Sequence, residues 1–155
     1  MTIDRLMSEI SDSKLPTSGQ LERELSQAIA RLYRDELGHS PGKITCKFFG
    51  NYLAIVIEKS RSTLERTLLK ENQHSVFIKF NLAINNLVKS RLKVLIEQKL
   101  AVKVSNILFD SNLTTPHTGA IFILKQPPIV RPRRTTAKNK KNQLKNNKID
   151  ENNLN

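Results

Sequence analysis

The sequence predicts an α+β fold, ordered helix-strand-strand-helix-helix-strand-strand, with the helices packed on one face of a small four-stranded sheet. Three observations predict it. Residues 76–96 space Val76, Phe77, Phe80, Ala83, Ile84, Leu87, Val88, Leu92, Leu95 and Ile96 along one broad face of a long helix. Residues 44–58 change to strand patterning around Gly50-Asn51, the composition of a tight hairpin turn. After Gln98 two further runs rich in Val, Ile and Phe supply a second pair of strands.

Taken in order, residues 1–17 read as a flexible leader. Ile3, Leu6, Met7 and Ile10 have helical spacing, so a short amphipathic helix for a membrane surface or a partner is the alternative; Asp12, Ser13 and Pro16 end it. The folded domain is expected over 18–126. Its first helix runs from Ser18 to Leu37 on a stripe of Leu21, Leu25, Ala28, Ile29, Leu32, Tyr33 and Leu37. Ser18 is the expected N-cap, with Glu22 and Glu24 near the positive end of the helix dipole. Gly38 can take the left-handed conformation that ends the helix, and Pro41 prevents its return.

Ile44, Cys46 and Phe48 then alternate with Thr45 and Lys47, as on a half-buried strand. Residues 52–58 are apolar on both faces, which places this strand in the middle of the sheet. Ser62-Thr63-Leu64-Glu65 is a capping box opening a short helix, with Leu64, Leu68 and Leu69 expected inward. In the long helix, Lys79, Asn81, Asn85, Asn86, Lys89, Lys93 and Glu97 are expected outside. Strands over Ala101–Phe109 and Gly119–Leu124 are expected to pair across a wide polar loop, 110–118.

The 155 residues carry a formal net charge of +12, and it is unevenly spread. Residues 1–126 hold 18 Lys and Arg against 12 Asp and Glu, whereas residues 127–155 hold 8 against 2. Pro127, Pro128 and Pro132 open this last segment, and its low hydrophobicity and high charge predict a disordered basic tail. Such a tail attracts polyanions, whether nucleic acid, anionic lipid or an acidic protein. Arg131, Arg133, Arg134, Lys138, Lys140 and Lys141 are the candidate polyanion-binding residues. The single cysteine, Cys46, excludes an internal disulfide and suits a reducing cytoplasm. The first residues lack the apolar run of a signal peptide, and no run of about 18 apolar residues occurs, so any membrane association is expected to be peripheral.

Catalytic chemistry is not expected. His39, His74 and His117 each adjoin a turn and read as solvated, and none has a second ligand at metal-binding spacing. Asp110 and His117 flank one loop, but two groups without an orienting third fall short of a site. No phosphate-cradling glycine loop or nucleophile elbow is present, and no catalytic residue, metal or cofactor is expected. The element order is also that of one form of the KH RNA-binding domain, yet the link Glu71-Asn72-Gln73-His74 lacks that domain's glycines.

Four stretches resemble one family. The first helix, LERELSQAIARLYRDELGHSPGKI, ends in a Gly-x-x-Pro turn at Gly38-His39-Ser40-Pro41. A strand-turn-strand leads to the Ser62-x-x-Glu65 opening of a short helix; after the long helix comes Val102-Lys103-Val104, and last Ile121-Phe122-Ile123-Leu124. In this order they resemble the MpsC-like family, named for a sodium-translocating, membrane-potential-generating system of bacteria. The resemblance implies a non-enzymatic accessory protein, cytoplasmic or peripheral at the inner face of the plasma membrane. Its partner would be a membrane complex that moves cations or supports inorganic-carbon uptake. A homodimer, and contact of the tail with anionic lipid or nucleic acid, are further expectations; a nucleic-acid-binding protein is the alternative reading.

Overall fold

A computed structural model describes residues 2–132. Helix α1 spans Ile3–Lys14 and buries none of its residues. The domain begins with α2 (Ser18–Leu37), followed by strands β1 (Ile44–Phe49) and β2 (Tyr52–Glu58). Helices α3 (Thr63–Lys70) and α4 (His74–Leu100) lead to β3 (Val104–Ser111) and β4 (His117–Leu124). The expected order is therefore observed. The sheet is antiparallel throughout, in the order β1-β2-β4-β3, so β2 is central. The loop between β3 and β4 is tighter than expected, because the pairing extends to Ser111 and Thr118.

Local chemistry explains most boundaries. The N-cap of α2 is Thr17 and not Ser18: its hydroxyl accepts from the Gln20 N–H at 3.2 Å while Gln20 Oε1 accepts from the Thr17 N–H at 2.7 Å. Gly38 ends the helix at φ 68°. In the hairpin turn only Gly50 is left-handed (φ 57°). Asn51 instead ties the turn to β4: its side-chain amide donates to the Leu124 carbonyl at 3.1 Å, and its own carbonyl accepts the Leu124 N–H at 2.8 Å. Ala101, expected in a strand, is the left-handed C-cap of α4.

The core lies between one sheet face and helices α2 and α4. Leu25 and Ile29 of α2, Leu92 and Ile96 of α4, and Leu53, Ile55, Ile57, Phe122 and Leu124 of the sheet are all at most 1 % exposed. Two expectations about helix faces are corrected. The buried stripe of α4 is Phe77, Asn81, Val88, Leu92, Ile96 and Leu100, narrower than expected and including a polar residue. Val76, Ala83 and Leu87 lie outside it and are exposed. In α3, Leu64 is exposed and the one buried residue is Glu65. The cause is the same in both cases: Glu65 and Asn81 are partners, so each gives the other a reason to be inside.

Candidate functional site

Where α3, α4 and the end of the sheet meet, the interior turns polar. Glu65, Asn81, Ser111 and Thr118 are each less than 9 % exposed. A buried carboxylate needs donors, and Glu65 has three. One oxygen accepts the Ser62 N–H at 2.7 Å and the Ser62 hydroxyl at 2.9 Å; the other accepts from Asn81 Nδ2 at 3.1 Å.

From Asn81 the bonds run on in one direction. Asn85 Nδ2 donates to Asn81 Oδ1 at 3.0 Å, and the Ser111 hydroxyl donates to Asn85 Oδ1 at 2.8 Å. Thr118 Oγ1 lies 2.7 Å from Ser111 Oγ and 2.9 Å from Ser60 Oγ. The direction has a physical source. An ionised carboxylate only accepts, so Asn81 must present its amide N–H to Glu65 and its oxygen to Asn85, and each later member follows.

Arg61 closes the cluster from outside. Its guanidinium donates to the carbonyls of Asn112 and Leu113 at 2.9 and 2.5 Å and stacks on Phe77, 5.3 Å from the ring centroid. Between Arg61, Glu65, Asn81, Asn85, Ser111 and Thr118 is a cavity of about 10 Å³, room for one water. Arg61 Nε is buried without a hydrogen-bond partner among the described residues. Tyr33 lines the same cavity, and burial together with the Glu65 charge pushes its phenol well above the usual range. His39 is half-buried and not solvated as expected: it meets Tyr33 edge-on, and its Nε2 is 3.0 Å from the Ser60 carbonyl oxygen. His74 and His117 are exposed.

This arrangement is a clamp. Every hydroxyl is engaged within the chain of bonds, no histidine ring bonds to the hydroxyls of Ser60, Ser111 or Thr118 (His39 meets the Ser60 carbonyl instead), and the cluster joins α3, α4, β3 and β4 by polar contacts. Among the described residues no group of three His, Cys, Asp or Glu could hold a metal. Asp110 faces Gly119 across the β3–β4 pair and His117 faces Glu58, with no hydrogen bond between the two among the described residues. Cys46 is 3 % exposed, and burial pushes its thiol pKa up, leaving little thiolate for chemistry.

Two carboxylates close the sheet edges. Glu22 accepts from Lys47 Nζ at 2.7 Å and from the Phe48 N–H of β1 at 3.1 Å. Burial raises its pKa, but these donors and the Lys47 charge outweigh burial and hold it below the usual range. Glu22 thus serves β1 and not the dipole of its own helix. Glu97 accepts the Val104 N–H of β3 at 2.9 Å, which, with Lys103 nearby, lowers its pKa.

Of the expected polyanion contacts, only Arg131 falls among the described residues. Its N–H donates to the Pro16 carbonyl at 2.9 Å and its guanidinium donates to the Ser13 carbonyl, while Val130 packs against the core. Arg133, Arg134, Lys138, Lys140 and Lys141 lie outside the described residues. Asn81, Asn85, Ser111 and Thr118 were missed by sequence reasoning. One signal was available: Asn81 and Asn85 continue the stripe of Phe77 and Val88 at helical spacing, where an apolar residue is the rule.

No helix among the described residues is long and apolar enough to cross a membrane. No curated protein and no solved structure matches the chain. A family model described as Na+-translocating membrane potential-generating system (MpsC) matches residues 17–126, from the Thr17 cap of α2 to just beyond β4. With most of the chain covered and its element boundaries respected, the chain belongs to the MpsC family.

Proposed function

We propose that this chain is a non-enzymatic accessory protein that docks on a membrane complex which translocates cations or supports inorganic-carbon uptake. The family match over residues 17–126, with the system its description names, is the observation that carries this reading. The surface suits docking. Beyond its buried stripe, α4 presents Val76, Ala83, Leu87 and Val94 in steps of seven, four and seven, with Phe80 half-buried between them. This is the spacing of a seam that receives another helix. Helix α1 likewise exposes Ile3, Leu6, Met7 and Ile10. In this reading the protein sits at the inner face of the membrane, and the basic segment after Pro132 adds attraction to anionic lipid.

Affinity capture of the tagged full chain from membranes of its native cells, beside a nuclease-treated soluble fraction, tests the proposal. An integral cation transporter is the expected partner, and a Leu87→Lys/Val94→Lys variant should lose it while keeping its circular dichroism spectrum. If the membrane fraction yields no transporter, or the variant retains it, the docking reading fails. The second reading is nucleic-acid binding through the tail, favoured by the 8 Lys and Arg against 2 acidic residues over 127–155. It predicts partners in the soluble fraction that vanish with nuclease.

A further inference from the structure

Among the described residues the outer face of the sheet has no cover. Leu53, Ile55 and Ile57 of β2 point to the core, so Tyr52, Ala54 and Val56 point away from it, and Gly119, Ile121 and Ile123 of β4 do the same. A sheet covered on one side alternates apolar inside with polar outside. Here the outside is apolar as well: Tyr52 is 46 % exposed, Val56 46 %, Ile121 41 % and Leu108 of β3 56 %. Of the long cations at this face, Lys47 is drawn off over the β1 edge by Glu22 at 2.7 Å, and Lys89 of α4 borders it near Leu108 and Asp110.

The strand register makes this face complementary to itself. Val56 lies directly across from Gly119, and Ala54 directly across from Ile121. Two of the three outward rungs therefore join a large side chain on one strand to a small one on its neighbour, and the large residue changes strand between them; the third rung, Tyr52 opposite Ile123, sets two large side chains at the end of the face. A two-fold axis parallel to the strands and midway between β2 and β4 lays β2 of one copy over β4 of the other. Val56 then descends onto Gly119 of the second copy, and Ile121 onto Ala54. At the margin the same axis sets Thr45 over Asp110, Lys47 over Leu108, Phe49 over Asn106 and Glu58 over His117, so no like charges meet.

The size of the face suits such a pair. Four strands about 4.8 Å apart and about seven residues long at about 3.4 Å each span roughly 19 by 24 Å. Two such faces amount to roughly 900 Å² before side-chain relief is counted, close to the ~1,000 Å² that a specific interface should clear.

We propose that the outer sheet face is a homodimer interface, two copies stacking face to face about this axis as in a sandwich with sheets about 10 Å apart. The proposal is independent of the membrane-docking reading, which uses α4.

Gly119 provides the test. A Cβ added there meets nothing within 4 Å, and its φ lies outside the left-handed range. Gly119→Val is therefore tolerated by the single chain and favours the strand, but collides with Val56 in the dimer. Analytical ultracentrifugation of the full chain at about 100 μM, above the dissociation constant of an ordinary interface, should give twice the 17.7 kDa chain mass. Gly119→Val should give 17.7 kDa with unchanged circular dichroism. Ile121→Lys, a surface change in the single chain, should also give the monomer. Exchanging the pair, Val56→Gly with Gly119→Val, should restore the dimer. A wild-type monomer at this concentration, or a dimer that survives both single variants, overturns the proposal.

Discussion

Glu65 shows how one side chain sets the order of a whole region. It is 3 % exposed and receives Ser62 and Asn81 without forming an ion pair among the described residues. Truncation to alanine would strand the Ser62 N–H, the Ser62 hydroxyl and Asn81 Nδ2 together. Glu65→Ala should therefore cost about 3 kcal/mol in urea unfolding, near the upper range for single buried polar changes. Glu65→Gln should cost markedly less: if Asn81 and Asn85 turn their amides over, the bonds run the other way through Ser111. A glutamine variant as damaged as the alanine one would show that the direction of the bonds is fixed by something other than the carboxylate. Glu22 makes a different prediction. Its folded pKa is depressed, so its ionised form stabilises the fold above the ordinary carboxylate value of about 4.3, and that contribution disappears as pH falls through the lowered folded value. Glu22→Gln should thus destabilise at pH 7, and the loss should shrink as the pH is lowered toward about 2 and the carboxyl of the wild type takes up its proton. Equal losses at both pH values would assign the effect to packing.

At the level of elements, legibility follows locality. Gly38 and the Ser62–Glu65 box were readable because a cap is written in three or four adjacent residues. The strands were readable from their period, and β2 from being apolar throughout. The polar clamp was not readable, because Ser60, Glu65, Asn81, Asn85, Ser111 and Thr118 come together only after four elements have packed. The breadth of the α4 stripe misled for a related reason: it holds two seams, one for the core and one exposed, and periodicity alone cannot say which is covered within the chain. The same limit applies to β2, whose outer face is apolar without being covered by any helix among the described residues. Helix α1 stands apart from this logic. It has 12 residues and buries none, and a helix that short gains little from its own hydrogen bonds in water. Deleting residues 2–14 should leave the melting temperature of the domain within about 2 °C, since no core contact is lost. A larger fall would mean that α1 packs on the domain in solution.

At the scale of the molecule the dominant asymmetry is charge. Residues 133–155 hold seven Lys and Arg and two Asp and Glu, a net of +5 on 23 residues, while the rest of the chain carries +7 on 132. On the folded part, three of the cations are offset locally: Lys47 by Glu22, Arg91 by Glu36 and Lys103 by Glu97. The terminal segment has few acids to offset its own, so it should control attraction to anionic surfaces. Each basic residue near such a surface contributes about 1 kcal/mol, and the attraction decays over a Debye length of about 10 Å at 0.1 M salt. The appropriate truncation ends at Pro132 and not at Gln126, because Val130 packs against the core and Arg131 binds Pro16 and Ser13. Vesicles containing phosphatidylserine should bind the full chain at low salt and release it steeply as salt rises. The chain ending at Pro132 should bind at least tenfold more weakly, with a flatter salt dependence. Equal binding by the two chains would move the lipid contact onto the folded domain, where the exposed apolar stripe of α1 is the first place to mutate. Weaker binding with an unchanged salt slope would mean that the segment acts by something other than its charge.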